Sequence, residues 1–146
     1  MRTVMLLALL LLAGAQSALA GERSPEVNYV LRCAGCHGMD GTGAEKAGIP
    51  PFPGLVDAFF ADPQGRLYLM HVPGVVSNGL NDREIAQVMN YVGDRWRKPG
   101  AEIRHFSEAE VARLRAEPVA DLVGLRRDIA RRLKAEGIPV AGYPWP

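Results

Sequence analysis

The chain carries its only two cysteines three positions apart, and a histidine directly follows the second one. Two thiols at this spacing on one bent turn can each form a thioether with a vinyl group of the same porphyrin. The next residue then lies beneath the ring, where its imidazole can ligate iron. The run C-A-G-C-H therefore predicts one covalently attached haem c per chain, held by Cys33 and Cys36, with His37 as an iron ligand.

Two other uses of the cysteine pair are weaker interpretations. A C-x-x-C pair in an exported protein can be a thiol–disulfide redox site, but such pairs usually lie at the start of a helix that follows a strand, within a βαβ unit. No such pattern is present here. A zinc site requires four ligands, and a second pair at the usual spacing is missing.

The first twenty residues have the pattern of a secretory signal. Arg2 precedes the apolar run VMLLALLLLAGA, and Ala18 and Ala20 have the small-residue spacing of a cleavage site. The run is shorter than the roughly 18 to 20 apolar residues that span a bilayer, which disfavours the alternative of an uncleaved anchor. We predict a signal peptide over residues 1–20, export to the bacterial periplasm, and no stable membrane span after cleavage.

The charge balance excludes one class of partner. Without Arg2, the exported chain has sixteen basic and sixteen acidic side chains, so it is formally neutral. A neutral chain has no positive field that attracts a polyanion. We therefore predict no nucleic-acid binding.

Helix start signals recur along the chain, and no segment shows the alternation of a strand, so we predict an all-α fold. Ser24, Asn81 and Ser107 are candidate N-caps. Helices are predicted from Ser24 into the cysteine motif, in one or two short pieces over 57–72 broken near Pro63 and Gly65, from Asn81 to about Trp96, from Ser107 to about Ala116, and from about Val119 to Glu136.

One helix face and two loops complete this prediction. Val27, Val30 and Leu31 form the apolar face of the first helix. The glycine- and proline-rich residues 38–56 and the shorter stretch 74–79 are predicted loops. A loop as long as 38–56 inside a small domain is usually functional or folded around a ligand.

Three segments together resemble the class I c-type cytochromes, in particular small exported bacterial monohaem members. The segment CAGCHGMDGTG resembles the family run C-x-x-C-H-G-x-x-G-x-G, and LNDREIAQVMNYV is similar to the family's C-terminal helix, with Tyr91 near its end. Two of the prolines in IPPFPGL, Pro50 and Pro53, stand where the family places a proline whose carbonyl accepts a hydrogen bond from the proximal histidine. The match covers residues 24–96.

The resemblance implies a cytochrome c fold with glycine- and proline-rich loops around the haem. It divides the chain into a haem domain, 21–98, and a two-helix C-terminal extension, 99–146. It implies that the protein carries single electrons between redox proteins, such as an exported dehydrogenase and another cytochrome, and is not an enzyme. Two alternatives stay open: a haem subunit of a larger oxidoreductase complex, and a ligand-binding or peroxidatic haem protein with an open sixth iron position.

The sixth iron ligand is where this chain departs from the family. Most members have a methionine before the proline of the loop preceding the last helix, and here Val72 occupies that position. We predict His71 as the ligand, with Met70 as the alternative and no protein ligand or another methionine as a third possibility. Methionine raises the reduction potential and histidine lowers it, so the choice bears on function.

Several other residues have simpler interpretations. Met39 and Met89 are expected to fill packing gaps. His105 is expected on the surface, and so is Arg66, although a basic residue near a haem propionate is the alternative. Trp145 is expected to be a hydrophobic anchor. The final helix is expected to pack on the core with Leu122, Leu125, Ile129 and Leu133, or else to form a partner interface.

Overall fold

The structure is a computed structural model that describes residues 23–142. Within this range the chain forms eight α-helices, one 3₁₀ turn over Glu45–Ala47 and one isolated bridge between Ala44 and Ile49, which confirms the all-α prediction for these residues. The predicted signal peptide and Trp145 lie outside the described residues. The helices are α1 (Pro25–Arg32), α2 (Ala34–His37), α3 (Val56–Ala61), α4 (Pro63–Leu69), α5 (Pro73–Val76), α6 (Asp82–Trp96), α7 (Glu108–Ala116) and α8 (Leu122–Ala135).

The predicted N-caps of three helices are present. The Ser24 hydroxyl accepts a hydrogen bond from the first turn of α1. At α6, Asn81 Oδ1 accepts from the Glu84 amide at 2.9 Å, and Glu84 Oε2 accepts from the Asn81 amide at 3.0 Å. The Ser107 hydroxyl accepts from the Glu110 amide at 3.1 Å. These caps satisfy amides that have no partner inside the helix, so local sequence sets where the helices begin.

The shorter elements differ from the prediction. The stretch 74–79 is not wholly loop, because α5 covers Pro73–Val76 with a proline in its first turn. The break between α3 and α4 lies at Asp62, whose carboxylate accepts from the Gly65 amide at 2.8 Å and so starts α4. The last helix begins at Leu122, since Asp121 caps it by accepting from the Gly124 amide at 2.8 Å.

The first helix buries a different face from the predicted one. Val27, Val30 and Leu31 are 41–57% exposed, whereas Asn28 and Tyr29 are buried. The reason is that α1 packs on α6 through the Tyr29 ring, which contacts the Tyr91 and Trp96 rings near the end of α6. The predicted apolar face of α1 is therefore wrong.

One hydrophobic core joins the N-terminal helices, α6 and the beginning of the C-terminal extension. Tyr29, Met70 and Ile85 belong to it, and so do Phe106 and Val111 from the extension. Residues on both sides of position 98 thus contribute to the same core. None of the helices within residues 23–142 combines the length and apolar character that crossing a membrane requires.

Arg66 is a buried anchor for the extension, so its interpretation as a surface charge is wrong. Its Nε and Nη2 each donate to a Glu110 carboxylate oxygen at 2.7 Å. Its Nη1 donates to the carbonyls of Phe60 at 3.0 Å and Arg104 at 2.7 Å, and its guanidinium lies 3.6 Å from the Phe106 ring centroid. This network ties α4 to the start of α7.

The final helix forms a second, smaller core with α3 and α4. Ile129 and Leu133 are buried there against Ala58. Arg132 Nη1 donates to the Asp62 carboxylate at 2.6 Å across the same contact. The helix therefore packs on its own chain, in agreement with the simpler of the two predictions.

Candidate functional site

The cysteine motif lies where α1 and α2 meet. The Cys33 amide donates to the Tyr29 carbonyl at 2.8 Å, which closes α1, and the Cys33 carbonyl accepts from the amides of Cys36 and His37 at 3.2 and 3.0 Å. Cys33 thus ends one helix and begins the next. Both thiols and the imidazole are consequently carried by a single helical turn, as their spacing predicts.

The two thiols are not joined by a disulfide. Cys33 is partly buried and Cys36 is exposed. Burial raises the pKa of the Cys33 thiol, and the nearby Cys36 raises it further. A reactive thiol needs a lowered pKa, because the thiolate is the nucleophile. The environment of Cys33 therefore disfavours a thiol–disulfide redox role.

His37 has one ring nitrogen fixed by the protein. Its Nδ1 lies 3.2 Å from the carbonyl oxygen of Pro50. Since a carbonyl can only accept, Nδ1 carries the proton, and the neutral ring keeps a lone pair on Nε2. Burial lowers the pKa of His37, although the bond to Pro50 partly opposes this. The ring is therefore neutral at neutral pH, which is the form that binds a metal.

The two prolines predicted to support the histidine differ in position. Pro50 provides the carbonyl that His37 contacts. Pro53 is exposed and follows Phe52, whose ring stacks on the imidazole with centroids 4.1 Å apart and an interplanar angle of 17°. Phe52 is a contact that the sequence analysis missed, although an aromatic residue between two prolines in this segment was a usable signal.

The loop after the motif is held against the end of α6. Gly41 has a positive φ of 74°, and a Cβ there would lie 2.7 Å from the Trp96 ring. The Gly41 carbonyl accepts from the Phe52 amide at 2.8 Å, and the Gly54 amide donates to the Trp96 carbonyl at 2.9 Å. Residues 41–54 thus pack on the Trp96 indole, and the Phe52 ring contacts it directly.

The two candidate sixth ligands have different surroundings. Met70 is fully buried in the main core. His71 is partly buried, and its Nδ1 lies 2.9 Å from the Leu67 carbonyl oxygen. By the argument used for His37, Nδ1 donates and Nε2 retains its lone pair. Of these two side chains, Met70 is completely buried in the core, whereas His71 is partly accessible.

No group of three or more His, Cys, Asp or Glu side chains within residues 23–142 is arranged to hold a metal ion. A metal bound by His37 would thus take its remaining ligand atoms from elsewhere. A porphyrin supplies four nitrogen atoms to its iron, so haem needs only one or two side chains from the protein. Two thiols for covalent attachment and one imidazole for the iron, at Cys33, Cys36 and His37, are compatible with that requirement.

The remaining methionines and histidine are distributed as follows. Met89 is buried in the core, as predicted, whereas Met39 is 61% exposed, so its expected packing role is wrong. His105 is exposed, as predicted, with its Nε2 2.9 Å from an Asp94 carboxylate oxygen.

Comparisons with protein-family models, curated proteins and solved structures give no match to this chain. The resemblance to class I cytochromes c therefore depends on the motifs of the chain itself. Its functional meaning must be argued from the geometry of the Cys33–His37 turn.

Proposed function

We propose that this protein is a periplasmic monohaem c-type cytochrome that carries single electrons between redox proteins. The observation that carries the proposal is the Cys33–His37 turn, in which His37 Nδ1 donates to the Pro50 carbonyl and leaves Nε2 available. A cytochrome c fold over residues 21–98 and export directed by residues 1–20 are parts of the same proposal.

The residues present suit a covalent haem. Cys33 and Cys36 are free thiols on one turn, as thioether attachment requires. Histidine ligands of metals usually donate their other ring N–H to a carboxylate or a backbone carbonyl, which orients the ring and makes it a better electron donor. His37 has this arrangement with the Pro50 carbonyl. When bound, haem supplies the one-electron change between ferrous and ferric iron.

The protein's own residues would orient and shield that group. The Pro50 carbonyl restrains rotation of the His37 ring, and Phe52 covers one face of the imidazole. Phe52 also contacts Trp96, with ring centroids 5.4 Å apart, so the proximal side is backed by packed aromatic side chains. Packing of this kind limits water near the ligand and makes it rigid.

For the sixth position we propose His71, with Met70 as the alternative. The support is the Nδ1–Leu67 hydrogen bond, which reproduces at His71 the tautomer that the Pro50 bond imposes on His37. Two imidazole ligands would give a lower potential than a histidine–methionine pair. A donor of low potential, such as an exported dehydrogenase, or another cytochrome is then the natural partner.

The first experiment asks whether the chain holds haem. The full chain is produced in a bacterial host competent in cytochrome c maturation, and the exported protein is weighed by mass spectrometry under denaturing conditions. We expect the mass of the polypeptide plus one haem, and loss of that addition when Cys33 and Cys36 are both replaced by alanine. An exported wild-type chain without the added mass refutes the proposal.

The second experiment assigns the sixth ligand. We expect His71→Ala to convert a low-spin ferric spectrum into a high-spin one, while Met70→Leu and the surface control His105→Ala keep the wild-type spectrum. If Met70→Leu alone causes the change, methionine is the ligand. If the wild-type protein is already high-spin and its ferrous spectrum responds to carbon monoxide, the sixth position is open and the ligand-binding or peroxidatic function replaces the carrier.

A further inference from the structure

Tyr29 contacts the cysteine motif on both sides. Its backbone carbonyl accepts from the Cys33 amide at 2.8 Å, ahead of the motif. Its hydroxyl donates to the carbonyl oxygen of Gly38 at 2.5 Å, directly after His37. We infer that Tyr29 is a positioning residue for His37, holding the backbone that follows the imidazole so that Nε2 keeps one orientation. This inference depends on the proposed haem function.

The hydroxyl has a role that packing alone does not explain. The Tyr29 ring is 1% exposed and lies 5.8 Å from the Tyr91 ring and 5.0 Å from the Trp96 ring, centroid to centroid. A phenylalanine would make the same ring contacts. Burying a hydroxyl is unfavourable unless it is hydrogen-bonded, so the Gly38 contact is what allows tyrosine at this position.

Burial of the phenol keeps the hydroxyl a donor. It raises the pKa of Tyr29 to about 12, with the neighbouring Cys33 as the next cause. The group is thus protonated throughout the neutral range. The bond to Gly38 therefore does not depend on pH there.

Four hydrogen bonds restrain the backbone at His37 and Gly38. The His37 amide donates to the Cys33 carbonyl at 3.0 Å, and the His37 carbonyl accepts from the Gly43 amide at 2.9 Å. The other two hold Gly38: its amide donates to the Ala34 carbonyl at 2.8 Å, and its carbonyl accepts from the Tyr29 hydroxyl. The Tyr29 bond is the one that a single substitution removes without touching the backbone. Together they restrain the backbone that carries the imidazole facing the Pro50 carbonyl.

Loss of the Tyr29 hydrogen bond should raise the midpoint potential of an iron bound by His37. Without the Tyr29 hydroxyl, Gly38 keeps only its amide bond to the Ala34 carbonyl, so the His37 ring can shift from the Pro50 carbonyl, which it already meets at a long 3.2 Å. A weaker bond at Nδ1 makes the imidazole a poorer electron donor. A poorer donor favours ferrous iron, so the midpoint potential rises. Loss of one hydrogen bond also loosens the turn, which corresponds to a roughly two- to tenfold faster exchange of the Gly43 amide hydrogen.

The test compares Tyr29→Phe with the matched control Tyr91→Phe in the haem-loaded full chain. Both substitutions remove one hydroxyl from the same aromatic group. Midpoint potential is measured by redox titration, and Gly43 exchange by NMR. We expect Tyr29→Phe to raise the potential and speed the exchange while Tyr91→Phe matches wild type. Equal potentials and exchange rates in the two variants overturn the inference, even if Tyr29→Phe melts at a lower temperature.

A measurement on the unsubstituted protein keeps the inference testable if Tyr29→Phe does not fold. We expect the Tyr29 hydroxyl proton to give a slowly exchanging NMR signal close to Gly38, and rapid exchange of that proton with water overturns the inference. A wild-type chain that carries no haem overturns both this inference and the proposed function. A wild-type chain that carries haem, with Tyr29→Phe equal to Tyr91→Phe in both potential and Gly43 exchange, overturns this inference alone.

Discussion

Replacing Arg66 by methionine should strongly destabilise the protein, because the guanidinium is completely buried and fully used. The substitution removes both bonds to Glu110 and the donors to the Phe60 and Arg104 carbonyls. Removing one partner of a buried ion pair costs about 3–5 kcal/mol. The Glu110 side chain is 19% exposed, so water recovers part of its loss. We therefore expect a decrease of about 3 kcal/mol in the free energy of unfolding.

The chain offers a matched control in Arg104, which pairs with the same carboxylate. Its Nη2 lies 2.9 Å from Glu110 Oε1, but its side chain is 62% exposed. Exposed pairs contribute about 0–1 kcal/mol. Arg104→Met should therefore lower the unfolding free energy by less than about 1 kcal/mol. Both variants remove one positive charge beside Glu110, so the difference between their unfolding free energies reports the effect of burial.

The assay is urea unfolding of the purified protein at pH 7, followed by far-ultraviolet circular dichroism. With slopes of about 1–3 kcal/mol per M for small proteins, Arg66→Met should lose roughly 1–3 M from the midpoint. Variants of Arg66 and Arg104 that differ by less than about 1 kcal/mol would refute the reasoning. If Arg66→Met does not fold, Arg66→Lys is the variant to measure, because lysine keeps the positive charge but lacks the planar guanidinium. Its free energy of unfolding should lie below that of the Arg104→Met control, without complete loss of structure.

Two further predictions concern pH and backbone geometry. Hydrogen bonds from Arg66 hold the pKa of Glu110 below its ordinary 4.5, so this carboxylate stabilises the fold above that pH and stops doing so as the pH falls through the lowered value. Glu110→Gln should therefore flatten the acid side of a stability–pH curve measured by thermal melting. Gly41→Ala should cost at least about 2 kcal/mol in urea unfolding because of its positive φ and the Trp96 contact, whereas Gly74→Ala, which has open space, should be nearly neutral.

Helix boundaries could be predicted from the sequence because the interactions that set them are local. Asn81 and Ser107 each find their capping partner three residues along the chain. The cysteine motif is local in the same sense, since one turn carries both thiols and the imidazole. Propensity and spacing contain this information without any knowledge of the tertiary structure.

The residues that could not be predicted depend on contacts between distant parts of the chain. Arg66 and Glu110 are 44 positions apart, and no local pattern marks an arginine that will be buried. The apolar residues of α1 were misassigned for a related reason. Periodicity identifies an apolar stripe, but Tyr29 packs more aromatic surface against α6 than Val27 and Val30 can offer, so the helix turns that side inwards.

These long-range contacts bear on how a partner protein can bind. If the chain were a subunit of a larger oxidoreductase that used residues 99–146 as a docking arm, the arm would have to leave the core. Phe106, Val111 and Leu114 would then be exposed, and the buried Arg66 would lose its partners in the extension. Exposure of those three side chains alone costs several kcal/mol, at about 1.5–3 kcal/mol each. A partner is therefore expected to bind the folded surface, with the extension in place, rather than to detach it.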